Sequence, residues 1–250
     1  MQIIQSKLLK RFTNLTHGFT TKDGGRSSSP YTSLNLAFHV GDKEESVKHN
    51  HKLLAQKLAY NSDSLIHMKQ IHSNIVYTPT ASENFLNPPS CDALITNRVK
   101  TPLMVMVADC SPILFYDDMQ RVIAVAHAGR AGTFQNIVAN VLKRFKSDFD
   151  SKIDNILISI GPAIQRCCYE VGEEIYNEAK ALNYEYAIDK KEEKYFLNIA
   201  LILKNQLLEA GINEKNIEIS KECSCCQKEK FFSYRASGKT GRFAGVIELK

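Results

Sequence analysis

Three residues that can bind a metal, or act as a nucleophile and a base, adjoin strand-like apolar runs. Cys110 and His127 each follow such a run, and His72 lies just before another. A strand packed in a core fixes the backbone while its end opens to a pocket, so residues at such positions are both rigid and accessible. The intervals between the three residues are too long for a local zinc knuckle. They suit three neighbouring elements that converge on one pocket.

Two imidazoles and one thiolate predict a catalytic metal site rather than a closed structural one. A tetrahedral zinc ion held by three protein ligands keeps its fourth position for water or substrate. Asp109, next to Cys110, could orient a ligand or move a proton, or it could only accept backbone N–H bonds at a strand end. The same residues allow another chemistry, in which Cys110 is a thiolate nucleophile and His127 its base.

The elements that would hold these residues predict an α/β protein. Uninterrupted apolar runs favour strands that are buried on both faces, and apolar residues at helical spacing favour amphipathic helices. After His127, small residues form a turn, and Thr133 is expected to cap the helix that follows. The predicted strands are 103–108, 122–126, 155–160 and 216–220, and the predicted helices include 44–58 and 196–210.

Cations and polar side chains in turns predict a site for an anion. Residues 17–42 are rich in Gly and Ser and contain a Pro, so they are expected to form a structured loop with many hydrogen-bond donors. The tail from 233 to 242 is also polar and cationic, and either closes over an anionic substrate or is a solvated loop. The residues expected to contact substrate or phosphate are Lys22, Asn35, His39, Gln70, Arg130 and Arg166.

Composition limits the class of protein. The chain of 250 residues is 44% hydrophobic, and no linker or repeat divides it, so residues 1–250 are predicted to form a single domain. The N-terminus lacks the pattern of a signal peptide and the apolar runs are too short to span a bilayer, which predicts a cytoplasmic protein with no membrane contact. The net charge of +5 is spread along the chain without an Arg/aromatic block, which argues against nucleic acid as a partner.

The seven cysteines are expected to be reduced thiols, because an odd number with two adjacent pairs is unlike a disulfide framework. Cys223 and Cys226 form a CxxC motif, which alone is weak evidence for a second metal site. The only other nearby pair is Cys167 and Cys168, which differs in spacing. Buried or loop thiols are the preferred interpretation, and redox chemistry is a further alternative.

Ten short motifs resemble those of one known family. They are HGFTTKDGG, PYTSLNLAFHVGD, KQIH, CDALIT, ADCSPI, AHAGR, IGPAI, CCYEV, FFSYR and TGRFAGVI, and they run in the family's order from His17 to the C-terminus. The chain thus resembles the bacterial laccase-domain family, also called multicopper polyphenol oxidase-like, YfiH-like or peptidoglycan editing factor. The resemblance implies a four-layer α/β/β/α sandwich with mixed sheets, related to bacterial toxin cysteine hydrolases.

The resemblance also implies a function. The family's metal ligands are the histidine of QxH, the cysteine of ADC and the histidine of HAG, which here are His72, Cys110 and His127. Its members are described as enzymes that phosphorolyse adenosine, inosine and methylthioadenosine and deaminate adenosine, with zinc, or with copper in older assignments. A homodimer is also what the family suggests. Two other functions stay open: a cysteine hydrolase or amidase acting on muropeptide precursors, and a metal-containing scaffold with vestigial catalysis.

The copper oxidase function that one family name implies is disfavoured. A multicopper laccase needs about ten histidines and a cysteine for its copper centres, whereas this chain has seven histidines. The chain also departs from the family pattern, because HAGRAG replaces HAGWRG at Arg130 and Ala131, and Lys22 replaces an arginine. Lys cannot form the bidentate fork that Arg offers to phosphate. Metal binding should survive these changes, while substrate preference and phosphate affinity should change.

Overall fold

The computed structural model describes residues 1–80 and 82–250, which contain both strands and helices. The helices are Glu44–Leu58 (α1), Arg130–Phe134 (α2), Ile137–Phe149 (α3), Glu173–Ala181 (α4), Ile199–Glu209 (α5) and Tyr234–Ser237 (α6). The strands are Ile3–Ile4 (β1), Leu15–Thr20 (β2), Val76–Tyr77 (β3), Ala93–Thr96 (β4), Leu103–Val107 (β5), Ser111–Asp117 (β6), Val122–Ala128 (β7), Ile156–Ile160 (β8), Glu170–Val171 (β9), Ile188–Lys191 (β10), Lys194–Leu197 (β11), Ile217–Ile219 (β12) and Phe243–Leu249 (β13).

The strands form three sheets. A four-stranded sheet has the order β1-β2-β13-β5 and is antiparallel throughout. A six-stranded sheet has the order β12-β8-β6-β7-β4-β3, and it is mixed because β12 pairs with β8, and β3 with β4, in parallel. A small antiparallel sheet has the order β10-β11-β9. The chain therefore has the mixed α/β fold that the sequence predicts.

Three hydrophobic clusters hold the two larger sheets and the helices together. The first joins α3 and α5 to one face of the six-stranded sheet, and the second joins its other face to the four-stranded sheet. The third packs α1 against the remaining face of the four-stranded sheet. Side chains alternate along β6 as the pleat requires: Ile113 and Phe115 belong to the first cluster, and Leu114 and Tyr116 to the second.

Burial on both faces explains why the strands near the site are continuous apolar runs. Every residue of β5, β6 and β7 is buried, so neither face of these strands can carry solvated side chains. The predicted strands at 103–108, 122–126 and 155–160 are confirmed to within two residues at each end, as is helix 44–58. No helix in the described ranges 1–80 and 82–250 combines the length and the hydropathy that crossing a membrane requires.

Three local predictions are wrong. The loop expected from residue 17 begins only after Thr20, because β2 pairs with both β1 and β13. The helix expected at 196–210 begins at Ile199, since Phe196 and Leu197 pair with β10. Thr133 is not a helix cap: it lies inside α2, and Asn136 caps α3 by accepting a hydrogen bond from the Ala139 N–H.

Candidate active site

His72, Cys110 and His127 meet at one point, although three separate segments carry them. Their ligand atoms all lie within 4.8 Å of one another. Cys110 ends the bend between β5 and β6, while His127 lies near the end of the neighbouring strand β7. His72 lies in a loop and has a φ of 60°, in the left-handed region that non-glycine residues seldom adopt.

Asp92 orients this cluster, and sequence reasoning did not single it out. It is fully buried directly before β4. Its Oδ1 accepts hydrogen bonds from His127 Nδ1 at 2.8 Å and from the His72 N–H at 3.1 Å. Its Oδ2 accepts bonds from the Ile71 and Ser73 N–H groups and from the Ser73 hydroxyl. One carboxylate thus holds both the loop that carries His72 and the ring of His127.

The charges in the cluster shift the pKa values of its members. Burial raises the pKa of Cys110, but His127 and His72 outweigh it through charge and hydrogen bonds and lower the pKa to about 6. Burial lowers the pKa of His127, but the Cys110 thiolate and Asp92 raise it to about 9. Burial opposes ionisation of Asp92, yet its hydrogen bonds from His127 and Ser73 bring its pKa to about 2. The charges in the cluster therefore favour the thiolate form of Cys110.

These residues fit a catalytic metal site. A thiolate and two imidazoles are ligands that zinc and copper both accept. Because Asp92 holds Nδ1 of His127, the Nε2 atom is the one left to bind a metal, and this carboxylate–histidine pairing is the usual outer support of a metal-bound histidine. Of the described residues, only two groups have the spacing of a metal site, and the residues of this one line a cavity.

The cluster lies in a cavity of about 460 Å³, which is within the size range of sites for small organic molecules. Three of the residues predicted to contact substrate, His39, Gln70 and Arg130, line it. The Gln70 amide, however, is fully engaged with the Met106 backbone, donating to its carbonyl and accepting from its N–H. Through these hydrogen bonds Gln70 connects the loop that carries His72 to β5.

Arg130, the first residue of α2, lines the cavity. Its guanidinium forms an ion pair with Glu178 of α4 and lies 5.7 Å from the centre of the Phe134 ring. About a third of its side chain is exposed, so the pair is open to solvent and is weakly stabilising. Arg130 can therefore turn toward an anion in the cavity at little cost.

Three predicted contact residues lie elsewhere. Asn35 is fully buried, and its Oδ1 accepts a hydrogen bond from the Arg242 N–H, so it supports a cavity residue rather than lining the cavity. Lys22 donates to the Lys228 carbonyl at 2.6 Å and lines a separate, smaller cavity. Arg166 is exposed and pairs with Asp189. The structure does not bring Lys22 or Arg166 to the metal-ligand cluster.

Asp109 lines the cavity, but both of its carboxylate oxygens already accept hydrogen bonds. Its Oδ1 accepts from the Ser224 hydroxyl and its Oδ2 from the Arg235 N–H, each at 2.7 Å. Its φ of 96° turns the chain sharply before Cys110. Through these two hydrogen bonds Asp109 connects the C-terminal part of the chain to the cavity wall.

Further cationic and aromatic residues complete the cavity. Arg235 and Arg242, from the polar tail, both line it, while residues 234–239 of the tail are exposed to solvent. Tyr169 also lines it, with the Arg235 guanidinium 5.3 Å from its ring centre. Tyr169 was not identified from the sequence, where the CCYEV motif drew attention to its cysteines.

Gly129 is expected to be essential because the site has no room for a side chain there. A Cβ at this position would lie 2.8 Å from Cys110 Sγ and 3.7 Å from the His72 ring. Gly129→Ala should therefore push Cys110 away from the two histidines and lower metal affinity strongly. Metal content after dialysis, measured by inductively coupled plasma mass spectrometry, would check this. Gly238→Ala adds a Cβ where no atom lies within 4 Å, and its φ of 64° strains only the backbone. It is the control for cavity crowding, and equal metal loss in both variants would contradict the explanation.

Comparison with known proteins agrees with this geometry. The model of a family described as multi-copper polyphenol oxidoreductase laccase matches residues 16–250. The chain belongs to this family. A purine nucleoside phosphorylase of Corynebacterium glutamicum is 36% identical over 232 residues, covering 92% of this chain and 93% of that protein. Purine nucleoside phosphorylase YlmD of Geobacillus stearothermophilus is 32% identical over 248 residues, covering 94% and 90%.

Two solved structures have the same fold as this chain. The crystal structure of Bacillus licheniformis hypothetical protein YfiH superposes with a TM-score of 0.92 at 33% identity, covering 96% of this chain and 95% of that one. The crystal structure of YlmD from Geobacillus stearothermophilus gives a TM-score of 0.89 at 29% identity, covering 96% and 93%. The family and the mixed α/β fold predicted from the motifs are therefore confirmed.

Proposed function

We propose that this member of the laccase family is a metal-dependent purine nucleoside phosphorylase. It would cleave adenosine, inosine and methylthioadenosine with phosphate, releasing the base and the corresponding ribose 1-phosphate. The observation that carries the proposal is the cavity itself. Three arginines, Arg130, Arg235 and Arg242, line it together with His72, Cys110 and His127.

The cations would hold phosphate while the rest of the cavity holds the nucleoside. Guanidinium groups bind phosphate with two parallel hydrogen bonds, so they fix its orientation as well as its position. Tyr169, Ile164 and Ile199 supply apolar surface for a purine. Burial, Arg242 and His67 lower the pKa of His39, which keeps its ring neutral near pH 7 and able both to donate and to accept a hydrogen bond.

In the proposed reaction a phosphate oxygen forms a bond to C1′ of the ribose as the C1′–N9 bond breaks. The bonding electrons leave with the purine, which takes up a proton. The arginines align the phosphate with C1′ and hold it there, which lowers the entropic part of the barrier. That proton comes from the attacking hydrogen phosphate, and we propose that Asp109 relays it to the purine once the Ser224 hydroxyl releases Oδ1.

We further propose that zinc is the metal, with copper as the alternative, and that His72, Cys110 and His127 hold it. Zinc in such a site would supply Lewis acidity near neutral pH. Lewis acidity of this kind suits the deamination of adenosine to inosine, which we propose as a second activity that needs no phosphate. We also propose that the protein acts in the cytoplasm as a homodimer, with nucleosides and phosphate rather than nucleic acid or membranes as partners.

Chromatography of nucleoside mixtures would test these activities separately. Zinc-loaded protein is incubated with adenosine, with and without phosphate. Adenine that forms only with phosphate supports the phosphorylase, and inosine that forms without phosphate supports the deaminase. Hydrolysis to adenine and free ribose, independent of phosphate, would contradict phosphorolysis.

Arg242→Ala is expected to weaken phosphate binding. The Arg242 backbone is fixed by Asn35, and its side chain lines the cavity beside the cluster. Loss of charged hydrogen bonds worth roughly 1.5–3 kcal/mol should raise KM for phosphate about 10- to 100-fold, while KM for adenosine changes little. Initial rates at varied phosphate would measure this. Arg166→Ala, an exposed arginine outside the cavity, is the matched control, and an equal rise in KM there would contradict the assignment.

A cysteine hydrolase is the second candidate, and one observation favours it. Cys110, His127 and Asp92 are arranged as nucleophile, base and orienting acid, with His127 Nδ1 held by Asp92 at 2.8 Å. Muropeptide precursors are the proposed substrates for this activity. Chelation separates the two candidates. Removing metal should abolish phosphorolysis, but it should leave hydrolase activity unchanged or increase it.

The reactivity of Cys110 in metal-free protein should follow its lowered pKa. A thiolate is present above the pKa and lost below it, so alkylation by iodoacetamide should stay near its maximum at pH 7 and fall as pH drops through about 6. Free cysteine, with a pKa of about 8.5, should already be slow at pH 7. Mass spectrometry of the Cys110 peptide measures the rate. A profile like that of free cysteine would show that the histidines do not stabilise the thiolate.

A further inference from the structure

A second group of metal-ligating side chains lies outside the cavity. The Sγ atoms of Cys167, Cys168, Cys223 and Cys226 all lie within 4.8 Å of one another. Cys226 Sγ is 3.4 Å from Cys167 Sγ and 3.3 Å from Cys168 Sγ. We call these residues the four-cysteine cluster. The proposed phosphorylase activity uses none of them.

The distances suit a shared metal ion better than a covalent bond. A disulfide requires about 2.05 Å between sulfur atoms, and all four cysteines are free thiols. Four thiolates around a tetrahedral zinc ion, each about 2.3 Å from it, lie about 3.8 Å apart. The observed spacing is close to this value, and a small outward movement of the exposed Cys226 would admit the ion.

The backbone around the cluster is already built as a scaffold for such an ion. The CC pair and the CxxC motif come from segments far apart in sequence, and a parallel bridge between Ala163 and Cys223 joins them. The Ser224 N–H donates to the Ala163 carbonyl at 3.1 Å. The Gln165 N–H donates to Cys223 Sγ at 3.4 Å, a backbone contact that stabilises a thiolate. Cys223 itself is buried, so the cluster has a fixed inner ligand.

We propose that Cys167, Cys168, Cys223 and Cys226 bind a second, structural zinc ion. Four thiolates and no open position define a closed site, which differs from the three-ligand site in the cavity. Zinc is the fitting metal because thiolates are soft ligands and a four-thiolate tetrahedral site is typical of structural zinc. The sequence alone favoured plain thiols here, because the CC pair lacks the spacing of a second CxxC.

This ion would also fix one wall of the active-site cavity. Tyr169, which lines the cavity, directly follows Cys168. The Arg235 guanidinium donates to the Cys168 carbonyl at 3.2 Å and to the Glu170 carbonyl at 2.9 Å. Ser224, next to Cys223, donates to Asp109. The four-cysteine cluster therefore positions Tyr169, Arg235 and Asp109 without touching the substrate.

Metal stoichiometry tests the proposal without relying on any activity. Protein reconstituted with zinc under reducing conditions should hold two equivalents per chain by native mass spectrometry. Cys226→Ser should hold one ion, in the cavity. His72→Ala should also hold one ion, at the four-cysteine cluster. Cys225→Ser is the matched control, because Cys225 neighbours Cys226 without belonging to the cluster, and it should keep both ions.

Cobalt substitution identifies the site even if Cys226→Ser folds poorly. In His72→Ala, which leaves the cluster intact, bound cobalt should show the intense sulfur-to-cobalt charge-transfer absorption of a four-thiolate site. A single equivalent in the wild-type protein that disappears with His72→Ala would overturn the proposal. So would a disulfide between Cys226 and Cys167 or Cys168 in freshly purified protein, which would indicate a redox pair instead. None of these outcomes depends on whether the cavity phosphorolyses nucleosides.

A kinetic measurement tests the positioning role. Cys226→Ser should raise KM for phosphate several-fold through Arg235, with a smaller change in kcat, and Cys225→Ser should leave both unchanged. If Cys226→Ser loses the second ion but has the same KM and kcat as Cys225→Ser, the ion only stabilises the fold. That result would overturn its role at the cavity.

Discussion

Cys110→Ala is expected to remove the catalytic metal and abolish phosphorolysis. Cys110 supplies the sole thiolate of the three-ligand cluster, and its pKa of about 6 keeps it ionised at neutral pH. Removing a ligand should reduce metal affinity by more than the roughly 100-fold that loss of an outer support costs. Zinc titration with a competing chelator, together with the rate of adenine formation, would measure both effects.

The control for this variant is Cys225→Ala, a half-buried cysteine outside both metal-ligand groups. It should bind metal and turn over like the unaltered protein. Retention of the cavity metal and of activity in Cys110→Ala would show that Cys110 is not a ligand. Retention of the metal with loss of activity would instead favour the nucleophile role of the second candidate.

Asp92→Asn is expected to lower metal affinity and kcat/KM by about 10- to 100-fold, the usual cost of losing an outer carboxylate. Oδ1 of Asp92 accepts hydrogen bonds from His127 and from the loop of residues 71–73. Oδ2 accepts hydrogen bonds from the same loop. An amide keeps the shape but replaces one acceptor with a donor, so either the His127 ring or the loop loses its partner. Metal titration and steady-state kinetics would measure the loss.

Asp117→Asn is the matched control. Asp117 is also a fully buried carboxylate at a strand end, and it accepts bonds from the Met119 and Gln120 N–H groups far from the cluster. Asp117→Asn should lower the free energy of unfolding and change metal affinity little. Similar loss of metal affinity in both variants would mean that Asp92 acts only through general stability.

The sequence predicted the parts of the site that rigid strands determine. Cys110 and His127 end apolar runs that are buried on both faces, so their positions follow from the sheet. The mixed α/β class follows from the same runs. His72 lies in a loop, and its ligand chemistry, its interval from Cys110 and a family motif suggested where the fold would bring it.

Residues that act through tertiary contacts were harder to predict. Asp92 has no local signal, because a single acid before a strand is common in turns, and its role depends on His127 and on the loop at residues 71–73. Lys22 and Arg166 look like anion ligands locally, but the fold directs them to Lys228 and Asp189. The sequence disfavoured a second metal site at the cysteines, because a bridge between distant segments is what brings the four of them together.

The most direct test of metal-dependent phosphorolysis in this cavity is a phosphorus nuclear magnetic resonance assay with adenosine and phosphate. Protein stripped of metal by a chelator should form no ribose 1-phosphate, and restoring zinc should restore its formation in the unaltered protein but not in Cys110→Ala. Formation of ribose 1-phosphate by fully stripped protein, or by zinc-treated Cys110→Ala at the unaltered rate, would contradict the proposed role of His72, Cys110 and His127.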